Sequence, residues 1–187
     1  MSETDELAAT AAVLGLLWLR EVDREVMAEV VDDEVRAALA AVGLELPAAD
    51  DAAALDALAA DYFAALVQPE GRPPPVQSLV QEGKYEGEAA RGIRTVAEAL
   101  GADFDREVSR GAPADHLGAE LALWSELRVR SPESAPEFAT HFLSWAAPWC
   151  RRHAGAADGF YGRLFQVTAE FLDLVLEGDR SREPDAV

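Results

Sequence analysis

The chain has little of what covalent or metal-based chemistry requires. Cys150 is the only cysteine among 187 residues, so neither an internal disulfide nor a zinc site built from cysteines can form. The sequence contains neither a phosphate-binding loop of the G-x-x-x-x-G-K type nor a G-x-S-x-G nucleophile elbow. We therefore expect a protein that is not an enzyme and that carries no cofactor.

Positive charge is also scarce. One lysine, Lys84, and fifteen arginines stand against 35 acidic residues, which gives a formal net charge of −19. Nucleic-acid affinity depends on lysine and arginine contacts with phosphates, so we expect no nucleic-acid partner and no binding to anionic membranes. An acidic surface would attract a basic peptide. A salt-adapted or GC-rich source would give the same acidity without any such partner.

Long apolar runs are absent. The run from Ala8 to Leu19 is about twelve residues long, whereas about twenty are needed to span a bilayer. The N-terminus, Ser2-Glu3-Thr4-Asp5-Glu6, is acidic, whereas a signal peptide begins with positive charge. We expect a cytoplasmic protein that does not insert into membranes, and a single cysteine suits a reducing compartment.

What the chain does have is helical periodicity. Alanine is abundant, β-branched runs are scarce and half of the residues are hydrophobic, which is typical of an all-α protein. We predict a single-domain helical bundle of about seven or more helices over residues 1–178 and a flexible C-terminal tail at 179–187. The predicted helices cover about residues 4–20, 23–41 with a break near Asp32-Asp33, 50–67, 85–100, 115–129 and 156–177. A further helix, the sixth in order, begins at Ser134 or Pro136 and has a kink or an early end at Pro148.

Four prolines interrupt this pattern between Pro69 and Gly83. No helix can run through Pro73-Pro74-Pro75, and polyproline geometry is stiff. We expect either a linker between two helical halves or a preformed wall of a binding site. As a hinge at residues 69–83, the segment would allow a domain-swapped dimer, and the sequence does not distinguish this from a monomer.

A charged pair, Asp115-His116, opens the fifth predicted helix. Asp is a favoured N-cap residue, so Asp115 alone predicts a helix cap, with His116 as a partly exposed neighbour. Ser78 can likewise be a turn residue after the prolines, and Gln77 can satisfy a backbone group.

Two sets of side chains have the spacing of metal ligands. Cys150 and His153 lie three residues apart, and His116 and Glu120 lie four apart, with His141 as a candidate third ligand. Structural zinc uses four ligands, so neither set is complete. We expect no metal, and instead a hydrogen bond between His116 and Glu120 on one helix face.

Two further motifs carry a resemblance to a known family. Pro74-Pro75-Val76-Gln77-Ser78-Leu79-Val80 resembles the P-P-Y-E-S-V-Y loop of the TorD/DmsD family. Asp115-His116-Leu117-Gly118-Ala119-Glu120-Leu121 matches the D-H-L-x-x-E-L helix start of that family in full. Phe138 to Trp145 is similar to its F-x-x-H-L-x-x-W segment, and the resemblance covers about residues 55–176. In the loop, Gln77 replaces a Glu, and Val76 and Val80 replace two tyrosines.

The family consists of all-helical, cytoplasmic, NarJ-like maturation chaperones of molybdoenzymes. The resemblance implies a chaperone that binds the twin-arginine signal peptide, or the apo form, of a molybdopterin oxidoreductase and assists cofactor insertion and folding before export. Because Gln77 replaces the loop Glu, Asp115 would offer its carboxylate to a guanidinium group. The peptide-binding residues that we predict are Pro74, Pro75, Gln77, Ser78, Asp115, His116 and Glu120.

Two other functions stay open. The first is a NarJ-type assembly factor that binds a reductase subunit without reading a leader peptide. The second is a nucleotide-binding enzyme, which we rank last because the sequence contains no phosphate-binding loop.

Overall fold

The computed structural model describes residues 3–30, 33–67, 73–102, 111–156 and 158–180. Within these ranges the chain forms ten α-helices and no β-strand, which confirms the predicted all-α fold. Short π-helical turns at Phe63–Val67 and Ala139–Leu143 extend two of the helices, and a 3₁₀ turn lies at Ala154–Ala156. The helices are α1 (Glu3–Leu19), α2 (Arg24–Val30), α3 (Asp33–Ala41), α4 (Ala52–Tyr62), α5 (Gln77–Glu82), α6 (Glu88–Leu100), α7 (Leu117–Arg130), α8 (Ala135–Phe138), α9 (Ala146–His153) and α10 (Gly159–Arg180).

The proline-rich segment contains a helix that the sequence pattern did not predict. α5 begins at Gln77, directly after the prolines, and ends before Gly83, whose left-handed conformation (φ 72°) suits a helix C-terminus. Residues 69–72 of the predicted hinge region lie outside the described residues. At the other end of the chain α10 continues to Arg180, two residues into the predicted tail, and residues 181–187 lie outside the described residues.

One predicted interruption of a helix can be located and another cannot. α2 ends at Val30 and α3 begins at Asp33, but residues 31–32 lie outside the described residues, so the break near Asp32-Asp33 stays a prediction. The predicted kink at Pro148 is wrong in position, because the helix is interrupted earlier and α9 begins at Ala146. Pro148 therefore lies in a first turn, where a missing N–H costs no intrahelical hydrogen bond.

Close packing of α1 against α7 sets the frame of the site. A Cβ atom at Gly118 would lie 2.7 Å from the carbonyl oxygen of Gly15, so the two glycines let the helix backbones approach each other. Trp18, near the end of α1, donates from Nε1 to Thr168 Oγ1 of α10 at 2.9 Å. The end of α1 and the start of α7 are consequently held side by side in the core.

No helix within the described ranges combines the length and the apolar character that crossing a membrane would need.

Candidate functional site

The two motifs found in the sequence are joined by main-chain hydrogen bonds. The Gln77 N–H donates to the Asp115 carbonyl oxygen, and the Leu117 N–H donates to the Pro75 carbonyl oxygen, both at 2.8 Å. These bonds enclose an isolated antiparallel β-bridge. We call this pairing of residues 75–78 with residues 115–117 the junction. It makes the proline segment and the start of α7 neighbours in space.

Asp115 closes the junction with its side chain. Its Oδ2 accepts a hydrogen bond from the Ser78 N–H at 2.8 Å, and the residue has no exposed surface. Asp115 therefore caps α5, to which it is not adjacent in the chain. The prediction that it caps the helix that follows it is wrong, because His116 is the N-cap of α7. His116 Nδ1 accepts a hydrogen bond from the Gly118 N–H at 3.1 Å.

Glu120 lies in the first turn of α7 and is also fully buried. Its Oε2 accepts a hydrogen bond from Trp145 Nε1 at 3.0 Å, which ties α7 to the chain between α8 and α9. Burial raises the pKa of Glu120 well above its usual range, the Trp145 bond lowers that pKa, and the Asp115 carboxylate raises it. The predicted bond between His116 and Glu120 is wrong, because each of them has a different partner.

Several buried polar atoms of the predicted site have no hydrogen-bond partner among the described residues. They are Gln77 Oε1, Ser78 Oγ, Asp115 Oδ1 and Glu120 Oε1. Leaving a buried polar atom unpaired costs roughly 1–3 kcal/mol. The closed junction therefore holds polar groups at a cost in stability, and such groups require an explanation beyond core packing.

An open cleft lies beside the junction and is reached by His116. Its volume is about 420 Å³. Burial lowers the pKa of His116 to about 4, and the Asp115 carboxylate opposes this shift only in part, so the imidazole is neutral at pH 7. The cleft is lined by Leu19, Glu21, Tyr62, Phe63, Val67, Gly111, Ala112 and His116.

The other six predicted peptide-binding residues do not line this cleft. Pro74 is half-buried. The remaining five are buried, namely Pro75, Gln77, Ser78, Asp115 and Glu120. The structure thus brings the predicted residues together, but it places His116 alone among them at an open surface cleft.

The end of α4 supplies the apolar wall of the cleft. Tyr62 is anchored there, because its Oη donates to the Leu19 carbonyl oxygen at 3.2 Å and its ring meets that of Tyr161 edge-on at 5.5 Å. The π-helical turn that follows leaves Phe63 and Val67 exposed by 50% and 52%. Single π-helical turns occur frequently at functional sites. Two large exposed apolar side chains beside a cleft indicate a binding surface.

Sequence reasoning missed most of the cleft. Leu19 and Glu21 follow one another closely at the end of α1, and neither belongs to a recognised motif. In the sequence, the feature that could have indicated the cleft is the aromatic pair Tyr62-Phe63 in the helix before the prolines.

The candidate metal ligands are not grouped. His141 lines a second cleft, of about 530 Å³, together with Val96 and Phe142. Within the part of the chain that the structure describes, no three His, Cys, Asp or Glu side chains are close enough to hold a metal ion.

Comparison with known families gives one result that bears on this site. The sequence model of the family described as nitrate reductase delta subunit matches residues 28–154. This range includes α4, the junction and α7, but neither Glu21 nor α10. No curated protein matches the chain.

Proposed function

Because the chain belongs to the nitrate reductase delta subunit family, which comprises NarJ/TorD-type chaperones, we propose that it is a cytoplasmic assembly chaperone of a molybdopterin oxidoreductase. It would bind the twin-arginine signal peptide, or the apo form, of that enzyme and assist cofactor insertion and folding before export. In this role it performs no catalysis. The observation that carries the position of the binding site is the cleft beside His116.

The cleft suits an apolar stretch of a leader peptide. Phe63 and Val67 are half exposed on one wall, and covering them would remove apolar surface from water. A peptide laid along α4 would reach His116, whose neutral imidazole can donate or accept a hydrogen bond. This arrangement follows the helix-flanked groove by which other proteins bind peptides.

The junction has an indirect part in this proposal. Direct contact between the Asp115 carboxylate and a guanidinium would require the junction to open, because Asp115 is fully buried and its Oδ1, which has no partner among the described residues, is out of reach of solvent. We therefore assign Pro74, Pro75, Gln77, Ser78, Asp115 and Glu120 to holding His116 and the cleft wall in place.

The test is a titration of the full chain with a labelled peptide that carries two adjacent arginines followed by an apolar segment. We expect Phe63→Ser to weaken binding about tenfold, since burying the apolar side chain against the peptide contributes about 1.5 kcal/mol. Val129→Ser is the matched control, because Val129 is 67% exposed on α7 and does not line the cleft. Equal affinities of wild type, Phe63→Ser and Val129→Ser for the peptide would contradict the cleft as the binding site.

A NarJ-type assembly factor that ignores the leader is the second candidate, and its support is the chain's membership of the nitrate reductase delta subunit family. The two candidates differ in what they bind. The leader-reading chaperone should lose its reductase subunit when the leader is deleted, whereas the NarJ-type factor should retain it. Copurification of the chain with the catalytic subunit, with and without its leader, distinguishes the two.

A further inference from the structure

The carboxylates of the D-H-L-x-x-E-L motif are poorly placed to meet a positive charge. Asp115 and Glu120 are fully buried, and one oxygen of each already accepts a hydrogen bond, from Ser78 N–H and Trp145 Nε1 respectively. A leader cation that enters the cleft would need another partner, because an unpaired charge is costly to remove from water.

Glu21 is the acidic side chain that lines the cleft. It follows α1 and is half-buried, so its carboxylate is both accessible and shielded. The other lining residues within the described ranges are apolar, small or aromatic, apart from His116. Glu21 has no cationic partner among the described residues, and the adjacent Arg20 pairs with Glu25 at 2.8 Å.

A second carboxylate strengthens the negative potential at this position. Burial raises the pKa of Tyr161, and the carboxylates of Glu21 and Asp61 raise it further. Both carboxylates are therefore within electrostatic reach of the Tyr161 hydroxyl, and the Tyr161 ring contacts Tyr62. The chain as a whole shows the same bias, because its first 62 residues hold fifteen of the 35 acidic residues and three of the sixteen basic ones. The net negative charge of the chain would speed its encounter with a basic peptide.

The chemistry of the cleft favours arginine over lysine. A guanidinium is planar, can donate two hydrogen bonds to one carboxylate and can stack on an aromatic face. Phe63 provides an exposed ring in the same cleft as Glu21. A lysine ammonium would satisfy the charge but would gain less from the ring.

We propose that Glu21 binds an arginine side chain of the leader peptide, with the guanidinium stacked on Phe63, and that Asp115 and Glu120 are positioning residues. The proposal rests on the leader-binding function proposed above and names the residue that gives it charge specificity. Glu21 lies outside the matched family range, so the family match itself does not assign it.

The experiment measures binding of two peptides, one with adjacent arginines and one with adjacent lysines, to the full chain at two salt concentrations. We expect Glu21→Gln to weaken binding of the arginine peptide about tenfold, the scale of one charge-assisted hydrogen-bonded pair. The preference for arginine over lysine and the salt dependence should both fall. The matched control is Glu45→Gln, which removes the same charge from an exposed position that does not line the cleft and should bind as the wild type does.

Isosteric variants separate a charged contact from a positioning role. Asparagine at 115 and glutamine at 120 can still accept the bonds from Ser78 and Trp145, so Asp115→Asn and Glu120→Gln should stay within about threefold of wild type. Asp115→Ala and Glu120→Ala remove the acceptors and should bind more weakly. Rescue of each alanine variant by its amide isostere is the result expected of a positioning residue.

Each other outcome has a distinct meaning. Wild-type affinity in Glu21→Gln, or loss of arginine preference in Asp115→Asn with Glu21 intact, would overturn the assignment of Glu21. A chain that binds the leaderless reductase subunit and neither peptide would also overturn it, while leaving the chaperone function in place. A chain that binds neither peptide nor subunit would contradict the proposed function itself.

Discussion

The junction and the cleft share His116 and otherwise differ in composition and exposure. The junction is buried at its centre. Ser78 and Asp115 have no exposed surface, and the hydrogen bond between them joins positions 37 residues apart. The cleft is open, with Phe63 and Val67 half exposed and Glu21 without a cationic partner among the described residues. One region is rich in hydrogen bonds that are already made, and the other is rich in surface that is still available.

The residues of a sequence motif can therefore hold a binding site in place without contacting what the site binds. In the junction, main-chain hydrogen bonds and the bond from the Ser78 N–H to Asp115 Oδ2 hold the proline segment against the start of α7. A substitution in the junction should therefore act first on the free energy of unfolding. A substitution in the cleft should act on binding and leave stability almost unchanged.

The largest effect on the free energy of unfolding is expected at Gly118, where α7 packs against α1 beside both regions. In Gly118→Ala the new Cβ would lie 2.7 Å from the Gly15 carbonyl oxygen, so α1 and α7 must separate. We expect a loss of about 3 kcal/mol in the free energy of unfolding, measured by urea denaturation. Gly178→Ala is the control, because no atom lies within 4 Å of the added Cβ, and it should be neutral or stabilising. A small effect of Gly118→Ala would show that the close approach of the helices is not needed.

His116, which the junction and the cleft share, should make the stability of the protein depend on pH. Its pKa falls from 6.5 in the unfolded chain to about 4 in the folded one, so the unfolded state binds the proton more readily. The stability that neutral His116 contributes is complete above pH 6.5 and is lost as the pH falls through 4, about 2 kcal/mol of it by pH 5.

In His116→Asn the asparagine side chain can still accept the hydrogen bond that caps α7, but it has no group that titrates in this range. The fall in the free energy of unfolding between pH 6.5 and 4 should therefore be smaller than in wild type. Glu120 titrates in the opposite direction, since its raised pKa favours the folded state at low pH. Unfolding at a series of pH values in both proteins isolates the His116 contribution. Parallel curves would mean that the imidazole is not desolvated in the folded chain.

Asp115 tests the junction itself. Asp115→Ala leaves the Ser78 N–H buried without its acceptor and should lower the free energy of unfolding by about 1–2 kcal/mol. Asp115→Asn keeps an acceptor and should recover most of that loss. If the two variants were equally unstable, the negative charge of Asp115 would matter more than its hydrogen bond.

The smallest effect on stability is expected in the cleft. Phe63→Ser removes a side chain that is 50% exposed, so the free energy of unfolding should fall by about 1 kcal/mol at most, from the buried half of the side chain. Together with weaker peptide binding, this result would separate the cleft from the junction. A large loss of stability would show that Phe63 belongs to the core.

The helices were largely predictable because their signals are local. The apolar spacing in α4, α6 and α10 repeats over two or more turns, and the glycine at 101 marks a helix end that its left-handed conformation confirms. α5 was missed because six residues after a run of prolines are too few to show a period.

The site was predictable in part, for a different reason. The motif residues at 74–78 and 115–120 are indeed brought together, but a local rule assigned Asp115 to the wrong helix. Asp is a favoured cap, and nothing near it in sequence indicates that its partner is Ser78. Glu21 could not be found, because the residues that share its cleft lie about 40 and 95 positions further along the chain.

The β-bridge has a consequence for local unfolding. Only three hydrogen bonds join the paired segments, those from the amides of Gln77, Ser78 and Leu117, and all three are broken when the segments part. Bonds that break together share one opening free energy, which amide hydrogen exchange measures directly. Deuterium uptake at these three amides therefore reports whether the junction is closed, and the measurement needs no labelled peptide or partner protein.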